Sequence, residues 1–125
     1  MSIRQGGVGI QNRLVVGHRT GSELRWQEMG LIDDISPIET WNHYYVGFHN
    51  GEFTAYQNGV MLTNQVGGND APHSNPSDNS YDALIGGPIS TSHTNTYINA
   101  IIDDVFLYNR ALTQQEITQI YNIGL

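Results

Sequence analysis

Acidic residues are the first groups in this sequence that could do chemistry. Two carboxylates that act together, as in glycoside hydrolysis, must point into one cleft, and on a β-strand this requires positions two residues apart. The acids that pair up in this sequence are instead direct neighbours, Asp33 with Asp34 and Asp103 with Asp104. Neighbouring side chains on a strand point to opposite faces, so neither pair can act as a catalytic dyad.

Histidine, serine and cysteine give no stronger indication of an active site. His43 and His49 share one face of a predicted strand, but six residues of strand separate them by roughly 20 Å, too far to share a metal ion. His18, His73 and His93 each stand alone in polar or turn-like sequence. The chain has no cysteine, and none of its serines lies in a Gly-x-Ser-x-Gly elbow. We therefore predict no catalytic residues and a protein that is not an enzyme.

Calcium is the one cofactor that the residue types favour, because this hard cation prefers carboxylate and amide oxygens. A polar loop predicted over 66–82 is rich in such oxygens, and long irregular loops are commonly functional. The candidate ligand-binding residues of this loop are Asn69, Asp70, Asp78 and Asp82, of which Asp78 and Asp82 are also candidate calcium ligands. Their spacing is not that of an EF-hand, and a simply solvated loop is the alternative.

Aromatic residues offer a second candidate site, on the strand predicted over 41–49. Alternation places Tyr44, Val46 and Phe48 on one face, and Trp41, His43 and Tyr45 on the other. If the first set fills the core, the second can hold a sugar ring by stacking and hydrogen bonds. The alternatives are burial against a second layer or a subunit interface.

The stretch AIIDDVFLY, residues 100–108, is predicted to be a further strand. If Val105 and Leu107 belong to the core, Asp103 shares their face and points inward, where an unpaired carboxylate is costly. We therefore expect Asp103 to be held by backbone amides, by an arginine or by calcium. Asp104 faces the other way and is expected to be solvated.

Composition bounds the class of protein. The 125 residues, 38% of them hydrophobic, predict a single domain over 1–125. The net charge is −7, and the five basic residues are scattered arginines, which argues against nucleic-acid binding. No segment has the apolar length of a membrane span or of a secretory signal, so no membrane insertion is expected. A surface rich in Asn, Gly, Thr and Ser with few charges is typical of extracellular or virion β-proteins.

Turn signals and alternating patterns predict an antiparallel β protein. Asn50-Gly51 and Asn58-Gly59 each lie between strand-like runs and supply the positive φ angles of two-residue type I′ hairpins, so a meander is predicted over 41–49, 52–57 and 60–65. Upstream, RLVVGHR and ELRWQEMGL predict two strands joined at Thr20-Gly21-Ser22, and downstream ALIGG, residues 83–87, predicts another.

One short helix is predicted at the C-terminus. Thr113 and Glu116 match a capping box, and Leu112 with Ile117 match the hydrophobic staple that accompanies it. Ile117, Ile120 and Tyr121 then share one face, and Gly124 can end the helix.

Two stretches of the sequence resemble a known family. ETWNHYYVGFHNGEFTAYQNGVML is similar to the Trp-x-His, strand, hairpin, Tyr-x-Asn-Gly pattern of the laminin-G-like branch of the concanavalin A-like jelly rolls, and NAIIDDVFLYNRALTQQEITQIYN to their closing signature. The residues that carry the resemblance are Trp41, His43, Tyr56, Asn58, Gly59, Ile85, Gly86, Ile102, Asp103, Asp104, Val105, Tyr108, Asn109, Arg110, Ala111, Leu112 and Glu116. The resemblance implies an all-β antiparallel sandwich of jelly-roll type with one short C-terminal helix, and members often bind calcium at loop ends.

The sequence departs from the family pattern in two places. Ala100 stands where a glycine is usual, and the opening strands of the family have no evident counterpart. A sandwich that lacks a strand leaves an open edge that invites another chain, so we expect a homo-oligomer or a strand-completing partner chain.

These patterns together predict a non-catalytic recognition or adhesion module that binds a glycan or a protein surface through loops at one end of the sandwich. The alternative is a structural subunit of a virion or an extracellular filament. Either function places the protein outside the cell or on a virion.

Overall fold

The computed structural model describes residues 2–4, 13–20, 23–30, 41–63, 65–68, 85 and 100–124. Its seven strands and one helix follow in chain order: β1 (Ser2–Arg4), β2 (Arg13–Thr20), β3 (Glu23–Gly30), β4 (Tyr44–His49), β5 (Glu52–Gln57), β6 (Val60–Met61), β7 (Gln65–Gly68) and α1 (Gln114–Gly124). The predicted all-β antiparallel sandwich with one C-terminal helix is confirmed.

The described strands form two antiparallel sheets. One has the order β1-β2-β3-β7 and the other the order β4-β5-β6. β2 and β3 pair from Arg13 opposite Gly30 to Thr20 opposite Glu23, as the predicted hairpin requires. The two connecting residues, 21 and 22, lie outside the described part of the chain.

Both Asn-Gly pairs form the predicted tight turns. Asn50 and Gly51 have φ of 50° and 85°, and Asn58 and Gly59 have φ of 52° and 77°. Positive φ at both central residues is what a type I′ turn needs, and asparagine and glycine adopt it at the lowest cost. The β4-β5-β6 meander is therefore encoded by local sequence.

The core lies between the two sheets. Leu14, Val16 and Met29 of β2 and β3 form one buried cluster with Ala55 of β5 and with Leu62, which follows β6. Tyr44, Val46 and Phe53 pack against this cluster, so the predicted core face of β4 is confirmed for Tyr44 and Val46. Phe48 lies 5.0 Å from Phe53 between ring centroids and belongs to the same face.

The chain after β6 departs from the prediction. The third strand of the meander ends at Met61, and Gln65–Gly68 forms β7, which pairs with β3 in the other sheet. The predicted loop over 66–82 is therefore wrong for 66–68, and residues 69–82 lie outside the described part. The sequence did not indicate this strand because Gly67 and Gly68 interrupt the alternation of apolar and polar side chains that is typical of strands. Their backbone groups can still pair with β3. β1 was also not predicted.

The predicted strand over 100–108 is wrong. Residues 101–108 have no strand assignment, and each of them is exposed. Asp104 has a φ of 49°, which bends the chain out of the extended conformation, and its amide donates to Asp103 Oδ1 at 2.9 Å. Asp103 is consequently exposed rather than inward-pointing, and Val105 and Leu107 are not core residues. Of the strand predicted at 83–87, only Ile85 is described, and it lies exposed at a bend.

Candidate functional site

The candidate site lies on the outer face of the β4-β5-β6 sheet, the face opposite the core. Tyr45 and Tyr56 occupy opposite positions on β4 and β5, and their rings meet edge to face with centroids 5.8 Å apart. The Tyr45 hydroxyl accepts a hydrogen bond from the Leu112 amide at 2.8 Å. This contact holds the C-terminal segment against the sheet, so Tyr45 is half-buried rather than free.

Gly47 makes room for the Tyr45 side chain. Residues two apart on a strand share a face, and a Cβ on Gly47 would lie 2.6 Å from the Tyr45 hydroxyl oxygen and 3.0 Å from Thr54 Oγ1. Because glycine has no Cβ, the tyrosine can lie along β4 and reach the Leu112 amide.

The Asn58-Gly59 turn is tied to the residues that lead into β4. Asn58 donates its backbone amide to the His43 carbonyl, and its Oδ1 accepts the His43 amide, each at 2.9 Å. Asn58 Nδ2 donates to Asn42 Oδ1 at 3.0 Å, and the buried Gln57 donates to the same oxygen at 3.4 Å. This amide network fixes the turn on which the helix rests.

The helix α1 is seated on this turn, and we call the contact the helix seat: His43, Gly59, Gln114 and Tyr121. Gln114 Nε2 donates to the Gly59 carbonyl at 3.0 Å. A Cβ on Gly59 would lie only 3.3 Å from Cδ1 of Tyr121. The Tyr121 ring lies 6.1 Å from the His43 ring, at 41°.

His43 is consequently a packing residue in this structure. Its Nδ1 is buried and has no hydrogen-bond partner among the described residues. Burial lowers the pKa of His43 below its ordinary value, which favours the neutral imidazole. A neutral imidazole can pack against the Tyr121 ring without an uncompensated charge. Because the ring is used in this contact, little of the His43 side chain is available to a ligand.

The start of α1 is held by a charged cluster. Thr113 donates its amide to Glu116 Oε2 at 2.8 Å, and Thr113 Oγ1 accepts the Glu116 amide at 3.3 Å, which confirms the capping box. Arg110 binds both carboxylate oxygens of Glu116, at 2.9 Å and 2.6 Å. The hydrogen bond from Arg110, then those from Thr113, lower the pKa of Glu116 to about 2. The same pair raises the pKa of Arg110.

The predicted ligand-binding residues divide into three groups. His43 and Tyr45 are occupied by the C-terminal segment, which is the second-layer alternative of the sequence analysis. Trp41 stays 59% exposed, two residues before His43 and thus at the same end of the sheet as the Asn58-Gly59 turn. The others, Asn69, Asp70, Asp78 and Asp82, lie outside the described part of the chain.

Metal binding stays a prediction. Within the described residues, no three His, Asp or Glu side chains come together as a metal site would need. Asp103 is exposed beside Asp104, and Asp78 and Asp82 are not described. No helix in the described part is long and apolar enough to cross a membrane.

Sequence reasoning missed Gly47, Arg110 and Tyr121 as members of this site. The spacing of Tyr45 and Gly47 on one strand face was a usable signal for the first. The packing of Tyr121 against Gly59 brings together residues that are far apart in the chain, and no local sequence pattern predicts it.

Fold and site together define the class: an antiparallel β-sandwich whose C-terminal helix is seated on the outer face of one sheet. The laminin-G family model described as the concanavalin A-like lectin/glucanases superfamily matches residues 7–118, and the chain belongs to this family. A similar solved structure is that of residues 221–444 of an S-layer domain-containing protein from Clostridium thermocellum ATCC 27405, with a TM-score of 0.54 and 17% identity. The match covers 90% of this chain and 64% of that one, so this chain spans less than two thirds of the other. None of the curated proteins compared matches the sequence.

Proposed function

We propose that this protein is a non-catalytic recognition module of the cell surface or extracellular space, and that it binds carbohydrate with Trp41 as a stacking platform. The observation that carries the proposal is the exposure of Trp41, which is 59% accessible and lies two residues before His43, the residue hydrogen-bonded to the Asn58-Gly59 turn. Sugar rings stack on exposed aromatic faces, and the indole of Trp41 is large enough to hold one ring. The family supports this class of function, since its description includes lectins.

The non-catalytic part of the proposal is supported by how the described polar groups are used. Tyr45, Asn58 and Glu116 each hold another part of the chain through hydrogen bonds. The His43 ring packs on Tyr121. Acid–base chemistry needs a titratable group within reach of a substrate, and the titratable groups of Tyr45, Glu116 and His43 are engaged in contacts within the chain.

The proposal includes a second contact with the ligand, made by the acidic residues of the predicted loop either directly or through calcium. Asn69, Asp70, Asp78 and Asp82 would then add ligand or calcium contacts to the one made by Trp41. No step of recognition by Trp41 depends on the ion, so the two contributions can be measured apart.

The test is a glycan array probed with the fluorescently labelled chain, in calcium and in chelator. We expect a defined glycan subset to bind, Trp41→Ala to abolish that binding, and Ile123→Ala to leave it unchanged. Ile123 is a matched control because it is an exposed apolar residue at the other end of the chain. Failure of the wild-type chain to bind any glycan in either buffer would contradict the carbohydrate contact. Loss in chelator alone would assign the acidic loop a calcium-dependent role.

A structural subunit of an extracellular layer or filament is the second candidate. The similar solved structure is that of an S-layer domain-containing protein, which favours this alternative over a virion component. Electron microscopy separates the two functions: a subunit would form ordered arrays or filaments, whereas a recognition module would stay dispersed.

A further inference from the structure

The segment 101–108, which we call the apolar segment, exposes more large apolar side chains than a lone surface loop normally does. Leu107 is 98% exposed, and even Tyr108, the most covered of the six large apolar residues, is 45% exposed. These residues are Ile101, Ile102, Val105, Phe106, Leu107 and Tyr108. Contiguous apolar patches of a few hundred Å² on a protein surface mark interaction sites.

The backbone of the apolar segment is also unpaired within the described part of the chain. Its single described hydrogen bond is the local one from the Asp104 amide to Asp103 Oδ1. Odd-numbered and even-numbered residues are all exposed, which means that neither face of the segment is fully covered. A strand-forming composition with free amides and carbonyls is a template for another strand.

Charge indicates which kind of strand fits. Asp103 and Asp104 are exposed within the segment, and the nearest cation in the sequence, Arg110, is bound to Glu116. The chain as a whole carries −7 and has no lysine. A second copy would bring its own two aspartates against the same place, whereas a strand that carries Arg or Lys would neutralise them.

We propose that the apolar segment binds an extended, apolar and basic segment of a different polypeptide by β-strand addition. Backbone hydrogen bonds would give affinity, the apolar side chains would be covered, and Asp103 and Asp104 would select a basic residue. The left-handed conformation of Asp104, with φ of 49°, either persists as a bulge or is released on pairing. This interaction is separate from the proposed sugar contact at Trp41.

The experiment uses the whole chain, isotopically labelled for heteronuclear NMR, and two synthetic peptides. In one peptide valine alternates with threonine around a central arginine, and its twin has glutamate in place of the arginine. We expect the basic peptide to protect the amides of 101–108 from exchange and to bind at least about tenfold more tightly than its acidic twin. Replacing Asp103→Asn together with Asp104→Asn should reduce that preference.

Leu107→Asp supplies the matched variant, with Ile123→Asp as its control. Both residues are almost fully exposed, so both variants should fold, which an unchanged thermal midpoint verifies. Leu107→Asp should reduce the affinity for the basic peptide about tenfold, and Ile123→Asp should leave that affinity unchanged.

Three results would overturn the proposal: no binding of either peptide, protection of β4 rather than 101–108, or protection of 101–108 through self-association without peptide. The last would identify a second copy as the occupant. A glycan array with Leu107→Asp keeps this inference apart from the proposed function, because sugar binding at Trp41 should survive that change.

Discussion

At the scale of single residues, groups that the sequence offers for chemistry are used to hold the C-terminus in place. The Tyr45 hydroxyl accepts the Leu112 amide, and the Glu116 carboxylate binds Arg110 and Thr113. A hydrogen bond of this kind contributes about 1 kcal/mol, and charge-assisted ones contribute more where water is excluded. The same residue types in a cleft would have suggested an active site, so their contacts decide their role.

The Glu116 cluster predicts a pH dependence of stability. Its pKa falls from 4.5 to about 2 on folding, so the stabilisation is complete above pH 4.5 and is lost as the pH falls toward 2. We expect Glu116→Gln to be less stable than the wild type at neutral pH, and the gap to close over this interval. Urea denaturation at a series of pH values and low salt measures the gap.

Glu52→Gln is the control for the loss of charge, because Glu52 is an exposed acid on β5 and the substitution removes the same charge. Its free energy of unfolding at each pH shows what removal of one acidic charge outside the Glu116 cluster does. A gap between Glu116→Gln and wild type that stays constant down to pH 2 would show that the charge of Glu116, and hence its ion pair with Arg110, does not stabilise the folded state.

At the scale of elements, the Asn58-Gly59 turn has two roles. It reverses the chain between β5 and β6, and it contacts α1 through the hydrogen bond from Gln114 to the Gly59 carbonyl. The turn accounts for the Tyr-x-Asn-Gly pattern in physical terms: asparagine supplies positive φ and ties the turn to His43, and glycine supplies positive φ and leaves space for Tyr121. The helix contributes Ile117 as its fully buried anchor.

Gly59→Ala is therefore expected to unseat the helix as well as to strain the turn. The added methyl group meets Tyr121 at 3.3 Å and sits on a backbone with φ of 77°. The strain alone costs about 1 kcal/mol, and amide exchange along α1 should accelerate. Gly51→Ala, at φ of 85° in the other Asn-Gly turn, is the matched control: it strains the chain but should leave helix exchange unchanged. Equal helix exchange in both variants would contradict the seat.

At the scale of the whole molecule, two small sheets depend on one shared core. Leu14 and Val16 of one sheet meet Ala55 and Leu62 of the other side in a single buried cluster. Burial of this one interface holds the two sheets together, while α1 and the segment before it form a second layer on the outer face of the β4-β5-β6 sheet. The apolar segment adds nothing to that core and is left for interaction.

Leu14→Ala should therefore destabilise the whole protein. The side chain is fully buried, and truncation of a buried leucine costs about 2–5 kcal/mol. Chemical denaturation should show one cooperative loss of both sheets, while Ile123→Ala, on an exposed part of α1, should change stability by less than about 0.5 kcal/mol. Survival of the β4-β5-β6 sheet after loss of the other would show that the two sheets fold separately.

Features set by neighbouring residues were predictable from the sequence. The two Asn-Gly turns, the paired strands β2 and β3, the core face of β4 and the capped helix each depend on contacts within a few residues or on one alternating pattern. The resemblance to laminin-G-like sandwiches rested on the same stretches, and the family is confirmed.

The tertiary structure decided which segments of the chain pack against each other. Whether 101–108 becomes a core strand depends on a neighbour that can take its backbone hydrogen bonds, and no local pattern reveals whether one is there. Whether the side chains of Tyr45 and His43 are covered depends in the same way on Leu112 and on the helix that follows it, more than sixty residues away in the chain. Sequence by itself determined the turns, the cap and the alternation, because their energies are local. Pairing partners, the helix seat and the exposure of the apolar segment were decided only by the folded chain, because those energies arise between distant residues.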